Sequence, residues 1–237
     1  MMPFTYTVRE SAKAKHVSLK ISTIGRLEVV IPPGFDRERI PAILEKKQRW
    51  IDRVTQQVET QHAALGGDAG DRLPDQIALP AIQETWRVTY RPAGNFAVKA
   101  TEHPDRRLVL QGAIDNQETC RRVLQRWIAY KAQFHLIPWL EAISREISLP
   151  FARVNVRQQK TLWGSCSVNK AISLNCKLLF LPDRLVRYVF VHELCHTVHL
   201  NHAPEFWNLV GQHEPHYRQL DADLRDARYC IPLWMER

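Results

Sequence analysis

The stretch His192-Glu193-Leu194-Cys195-His196, with His202 six residues further on, constrains this chain more than any other feature. Histidines four apart on a helix project from one face, about one turn apart. They can meet at one Zn²⁺ only if the stretch is helical and firmly packed, so the motif demands both. Glu193 is rotated off that shared face. This suits a carboxylate that moves a proton beside the ligands rather than one that joins them.

A catalytic zinc needs a third protein ligand and one open position. His199 and His202 are the candidates. His199 shares the helical face but lies about 10 Å along the axis from His192, too far to share one tetrahedral ion on a straight helix. His202 arrives only if the helix ends first. Asn201 tolerates a left-handed terminal conformation, and Pro204 follows as a stop signal. The step from His196 to His202 equals that of a longer zinc-protease motif, although His199 replaces that motif's glycine. The expected ligand set is therefore His192, His196 and His202. Glu205 has two readings, as a hydrogen-bond partner of a ligating imidazole or as a first-turn carboxylate. His213, His216 and Tyr217 are further donors close in sequence.

The rest of the chain supplies a scaffold. Phe4-Tyr6-Val8, Val17-Leu19-Ile21 and Leu27-Val29-Ile31 alternate with the period of strands, with Gly25 marking a hairpin and Pro32-Pro33-Gly34 an end. A long helix follows from an Asp36 cap, with Pro41 in its first turn. Ala63 to Gly70 is the best linker candidate. Strands are expected at Glu84 to Tyr90, Asn95 to Ala100 and Arg107 to Gln111, forming an antiparallel sheet. A second long helix runs from Asp115 to Ile147 on an apolar stripe that includes Trp127 and Phe134, and Pro138 is expected to kink or split it. Arg153 to Gln158 is extended. Trp163 to Ser167 and Ala171 to Leu179 form a hairpin about Val168-Asn169-Lys170. Asp183 then caps the motif helix, whose apolar side is Leu185, Val186, Val189, Phe190 and Leu194.

Composition narrows the setting. The 237 residues suffice for a full core, in one large domain or two small ones. No basic-then-apolar leader and no membrane-length apolar run is present, so the expectation is a soluble, cytoplasmic protein with no membrane partner. Five cysteines (Cys120, Cys166, Cys176, Cys195 and Cys230) include no close pair and read as thiols, with Cys195 as packing. The net charge of +8 leaves nucleic acid open as a partner, but no run of five basic residues accompanies it.

Trp163-Gly164-Ser165-Cys166, Ile172-Ser173-Leu174-Asn175, the histidine motif, Asn201-His202 and Phe206-Trp207 together resemble the YgjP-like metallopeptidase family, related to SprT-like and WLM zinc peptidases. The N-terminal strands, Pro32-Pro33 and the helix with Lys47 and Trp50-Ile51 also fit, and the likeness is weakest from about residue 62 to 112. Ala203 stands where the family pattern often has serine. The resemblance implies an α+β, zincin-like domain with the three histidines as Zn²⁺ ligands and Glu193 as acid/base. It also implies a cleft lined by Trp163, Gly164 and Ser165, where an exposed strand edge can pair with an extended substrate. A packing role for Trp163, with Gly164 at a bulge, is the competing reading. The corresponding division is residues 1–112, β-rich with one long helix, and residues 113–237, the metal-binding catalytic domain.

Three functions follow. The first is a zinc-dependent peptidase in which Glu193 activates water, whose pKa zinc lowers towards ~7. The second is a nucleotide (phosphoanhydride) hydrolase on the same site, motivated by Arg157, Lys160, Lys170 and Lys177. The third is a structural zinc or a nucleic-acid-associated zinc protein. The sequence leaves the substrate and the oligomeric state open.

Overall fold

The computed structural model describes residues 5–21, 27–64, 73–94 and 97–236. The chain divides into two compact units, residues 1–72 and 73–237. In the first, β1 (Tyr6–Glu10), β2 (Ser18–Ile21) and β3 (Leu27–Ile31) form a sheet in the order β1-β3-β2. β3 is central and buries Leu27, Val29, Val30 and Ile31. Its pairing is mixed, antiparallel to β2 and parallel to β1. Phe4 and the turn expected at Gly25 lie outside the described residues.

Asp36 does act as a cap, accepting from the Glu38 N–H at 3.0 Å. The single helix expected after it is two, α1 (Ile40–Lys46) and α2 (Gln48–Ala64), because the backbone at Lys47 leaves the helical region (φ −104°, ψ 8°). The expected linker begins on the last residues of α2, and its remainder, 65–70, lies outside the described residues.

The second unit opens with β4 (Gln76–Leu79), β5 (Glu84–Pro92), β6 (Lys99–His103) and β7 (Arg107–Gly112), in the order β4-β5-β7-β6. This sheet is also mixed, since β5 and β7 run parallel. Trp86, Val88, Leu108 and Leu110 share one core with Leu124, Trp127 and Ile128 of α3 (Gln117–Glu146). Residues on both sides of position 112 share this core.

Asn116 caps α3 through the Thr119 N–H at 2.9 Å. Pro138 lies inside α3 without splitting it. Proline removes the hydrogen bond to the Phe134 carbonyl, and both residues are exposed, with Phe134 67% exposed rather than in the apolar stripe. Water can serve a carbonyl on that side, so the helix continues.

β8 (Arg153–Arg157), β9 (Gly164–Cys166) and β10 (Ala171–Asn175) make a third sheet, in the order β8-β10-β9. β9 and β10 form the expected antiparallel hairpin. Its turn is closed by the Ala171 N–H donating to Ser167 Oγ at 3.2 Å, with Lys170 at φ 54°. β10 ends at Asn175, and Cys176–Phe180 is a 3-10 turn instead of further strand.

The motif helix α4 (Asp183–Cys195) follows, then α5 (Pro204–His213), α6 (Tyr217–Asp226) and α7 (Leu233–Glu236). Pro182 holds the N-cap position of α4, one residue before the Asp183 expected there, and the Asp183 carboxylate accepts the Arg184 N–H at 2.7 Å. Leu185, Val186, Val189, Phe190 and Leu194 are all buried as expected, at roughly 2 kcal/mol each. α4 packs against α3, α5, α6 and β9 and is thereby fixed in rotation. The five cysteines are free thiols, and Cys195 is fully buried. Among the described residues, no helix is long and apolar enough to cross a membrane.

Candidate metal centre

His192 projects from the last turn of α4, and His196 caps it. The chain then turns through Thr197 to His199 on hydrogen bonds to Leu194 and Cys195 carbonyls. Asn201 does not take the left-handed backbone expected of it. The helix has already ended, and Asn201 turns the chain with its side chain, accepting the Ala203 N–H at 3.2 Å. This return brings His202 back over α4. His202 Nε2 lies 3.1 Å from His192 Nε2, and one ligand atom from each of His192, His196 and His202 falls within 4.8 Å of the others. His199 is not in the cluster. Its carbonyl instead holds His196 Nδ1 at 2.9 Å. A carbonyl only accepts, so Nδ1 carries the proton and Nε2 keeps its lone pair for a ligand.

The aromatic floor is tight. The Phe206 ring lies 4.3 Å from that of His196, 4.8 Å from His202 and 5.0 Å from His192. Trp207 stacks on His202 at 5.5 Å, and Tyr217 stacks on Trp207 at 5.4 Å. Burial foremost, then the neighbouring His196 and His202, pushes His192 down to about 4. Burial likewise lowers His196. Both are neutral near pH 7, and neutral imidazole is the metal-binding form. The donor set therefore fits a metal ion that accepts nitrogen ligands.

Beside this cluster Glu193 is only 6% exposed, and its Oε2 has no hydrogen-bond partner. Burial alone pushes its carboxyl up to about 8. The space for it exists because residue 164 is glycine. A Cβ there would lie 2.7 Å from Glu193 Cγ and from Oε1, closer than real contacts allow.

A family model described as "YgjP-like, metallopeptidase domain" matches residues 15–227. The chain belongs to the YgjP-like metallopeptidase family. The match takes in the three histidines, Glu193 and the β9 edge. A crystal structure of the metallopeptidase zymogen of Pyrococcus abyssi abylysin is also similar, at 21% identity over 38% of this chain and 90% of that one, with a TM-score of 0.35. No curated protein matches the chain.

In this YgjP-like chain a cleft of about 390 Å³ is lined by Trp163, Gly164 and Ser165 on one side and by His192, Glu193, His196 and His202 on the other. β9 is an edge strand. Asn175 holds the loop before it, donating to the Gln159 and Leu162 carbonyls at 3.0 and 2.7 Å, while its N–H donates to the Trp163 carbonyl at 2.9 Å. Trp163 thus faces the cleft, and Gly164 provides clearance for Glu193.

Tyr188 and Asp221 are among the lining residues that escape sequence reasoning. The Tyr188 hydroxyl donates to Asp221 Oδ1 at 3.3 Å. Tyr188 was within reach, being one turn before His192, but Asp221 comes from α6 with no local signal. Glu205 is an exposed first-turn residue of α5. His213, His216 and Tyr217 do not line the cleft, and neither do Arg157, Lys160, Lys170 or Lys177.

Proposed function

We propose that this chain is a zinc-dependent peptidase in which His192, His196 and His202 hold the metal and Glu193 is the general base and then the general acid. The observation that carries this reading is a convergent set of three imidazoles with a buried, unpartnered carboxylate beside it. Bound zinc supplies a Lewis acid and makes a water molecule acidic near neutral pH.

Glu193 takes the proton of the attacking water and delivers it to the leaving amine. Burial raises its proton affinity, and a bound cation would bring it back towards the working range. Gly164 keeps the carboxylate in place without steric conflict. The β9 edge offers backbone groups to an extended peptide, which aligns the scissile bond along the cleft. Of the four basic residues behind the phosphoanhydride alternative, none lines this cleft, and Lys160 and Lys177 line the cavity beside it.

Metal analysis and peptide hydrolysis of Glu193→Gln test the proposal. The variant is expected to keep its zinc and lose about 10²–10⁴-fold in turnover. Undiminished hydrolysis would overturn Glu193 as the base. His202→Ala is expected to lose the metal. His199→Ala is expected to keep it, because only the His199 backbone takes part.

A further inference from the structure

A second cavity, about 420 Å³, adjoins the metal cleft and shares with it the wall formed by Thr161, Leu162, Trp163, Asp221 and Leu224. Its charged lining is four cations, Lys160, Lys177, Arg225 and Arg228, against the carboxylates of Asp221 and Glu236. Asp221 is engaged by Arg225 at 2.6 Å, and Glu236 pairs with Lys177. Lys160 and Arg228 face no carboxylate partner among the described residues. Arg228 donates instead to the Tyr229 hydroxyl at 2.7 Å. Two positive charges are therefore left over, and in a partly enclosed pocket they attract an anion.

The pocket is built for that purpose at its base. Lys177 is only 4% exposed. Its N–H donates to Asn175 Oδ1 at 3.1 Å, the same side chain that fixes the loop dividing the two cavities. Lys177 pairs there with the Glu236 carboxylate, so the pocket already accommodates one carboxylate.

We propose that this pocket is a specificity subsite that takes a carboxylate of the substrate peptide, from an acidic side chain or from the C-terminus, within a few residues of the scissile bond. Lys160 and Arg228 supply the contacts. The proposal rests on the peptidase reading of the adjoining cleft.

The test uses the zinc-loaded full chain and matched peptides carrying Glu or Gln at positions flanking the cleavage site, each with a free or an amidated C-terminus. The two comparisons separate the sources of the carboxylate. One of them is expected to favour the carboxylate about ten-fold in kcat/KM, and Lys160→Gln with Arg228→Gln to bring that ratio towards one. Both residues are exposed, so folding is not at risk. In parallel, the same peptides are bound to Glu193→Gln and followed by fluorescence anisotropy.

Carboxylate-dependent binding that needs Lys160 and Arg228, without cleavage by the unaltered chain, would uphold the subsite and sink the peptidase reading. Cleavage with no carboxylate preference, or a preference that survives in the double variant, would overturn the subsite and leave the peptidase standing. Absence of any carboxylate-dependent binding would overturn it as well. So would displacement of bound peptide by inorganic phosphate but not by acetate.

Discussion

Two polar clusters of the second unit, one around the buried Lys131 and one around the buried Glu193, are finished differently. Between the four-stranded sheet and α3, Lys131 Nζ lies 3.5 Å from Glu84 and 3.5 Å from Glu102, and 4.5 Å over the Trp86 ring. Glu84 also accepts from the Trp86 indole at 2.8 Å, and Glu102 from the Trp127 indole at 2.7 Å. Each carboxylate there is answered by a cation and an N–H. Under β9 the Glu193 carboxylate meets no such partners, and three imidazoles converge without an acid among them. A buried polar group left without partners costs stability, and next to three convergent imidazoles the unpartnered Glu193 oxygen marks a place for an external group. The Lys131 cluster ties the sheet to α3, and on the proposed reading the Glu193 cluster is left open for a metal and a substrate.

If the two clusters differ in this way, substitutions should separate stability from turnover. The largest effect is expected in Glu193→Gln, with roughly 10³-fold slower hydrolysis and unfolding free energy within about 1 kcal/mol of the unaltered chain. Denaturant titration beside peptide assays measures both, and marked destabilisation would erase the contrast. Lys131→Met is the converse. It should cost about 1–2 kcal/mol in the same titration, because two partly solvated carboxylates lose their shared cation. Metal content of the folded fraction should stay intact, and loss of metal would mean that the clusters are coupled.

Gly164→Ala probes the clearance itself. The new Cβ must displace Glu193 or the strand, so about 1–3 kcal/mol of stability and at least roughly ten-fold in kcat/KM should be lost. A variant with unchanged rate would show that Glu193 does not depend on that space.

The smallest effect concerns pH. For Glu84, burial raises its proton affinity, but the Trp86 hydrogen bond, Lys131 and further positive neighbours together outweigh it and hold it below the ordinary 4.5. A carboxylate with a depressed folded-state pKa stabilises above its unfolded value and loses that contribution as pH falls through the folded one. The stability gap between the unaltered chain and Glu84→Gln should therefore be steady near neutrality and close below pH 4.5. A gap that widened in acid would contradict the ion pairing.

Local patterns in the sequence carried further in the site than in the fold. The apolar face of α4 follows from helical periodicity, and His202 is preferred to His199 because seven residues of helix are too long a step. Where the sequence misleads, a distant partner or solvent decides. Phe134 fits the apolar period of α3, yet no neighbouring element covers it. Pro138 is tolerated because that side faces water. Asn201 has the composition of a left-handed cap, but the helix stops before reaching it. Strand composition marks β5 and β7 without showing that they run parallel, since direction is set by how the chain returns to the sheet.

Covalent order and helix geometry alone set the candidate ligand types, the spacing of His192 and His196 on one helical face and the acid beside them. Only the tertiary structure decided that the His199 carbonyl fixes the tautomer of His196, that Gly164 makes room for Glu193, and that Asp221 and the Lys177 pocket border the cleft. Those relations join residues from separate elements, and burial and proximity across a core are written nowhere in local sequence. The Glu193 carboxylate is the clearest case, named by a five-residue motif but left without a partner by a strand nearly thirty residues away.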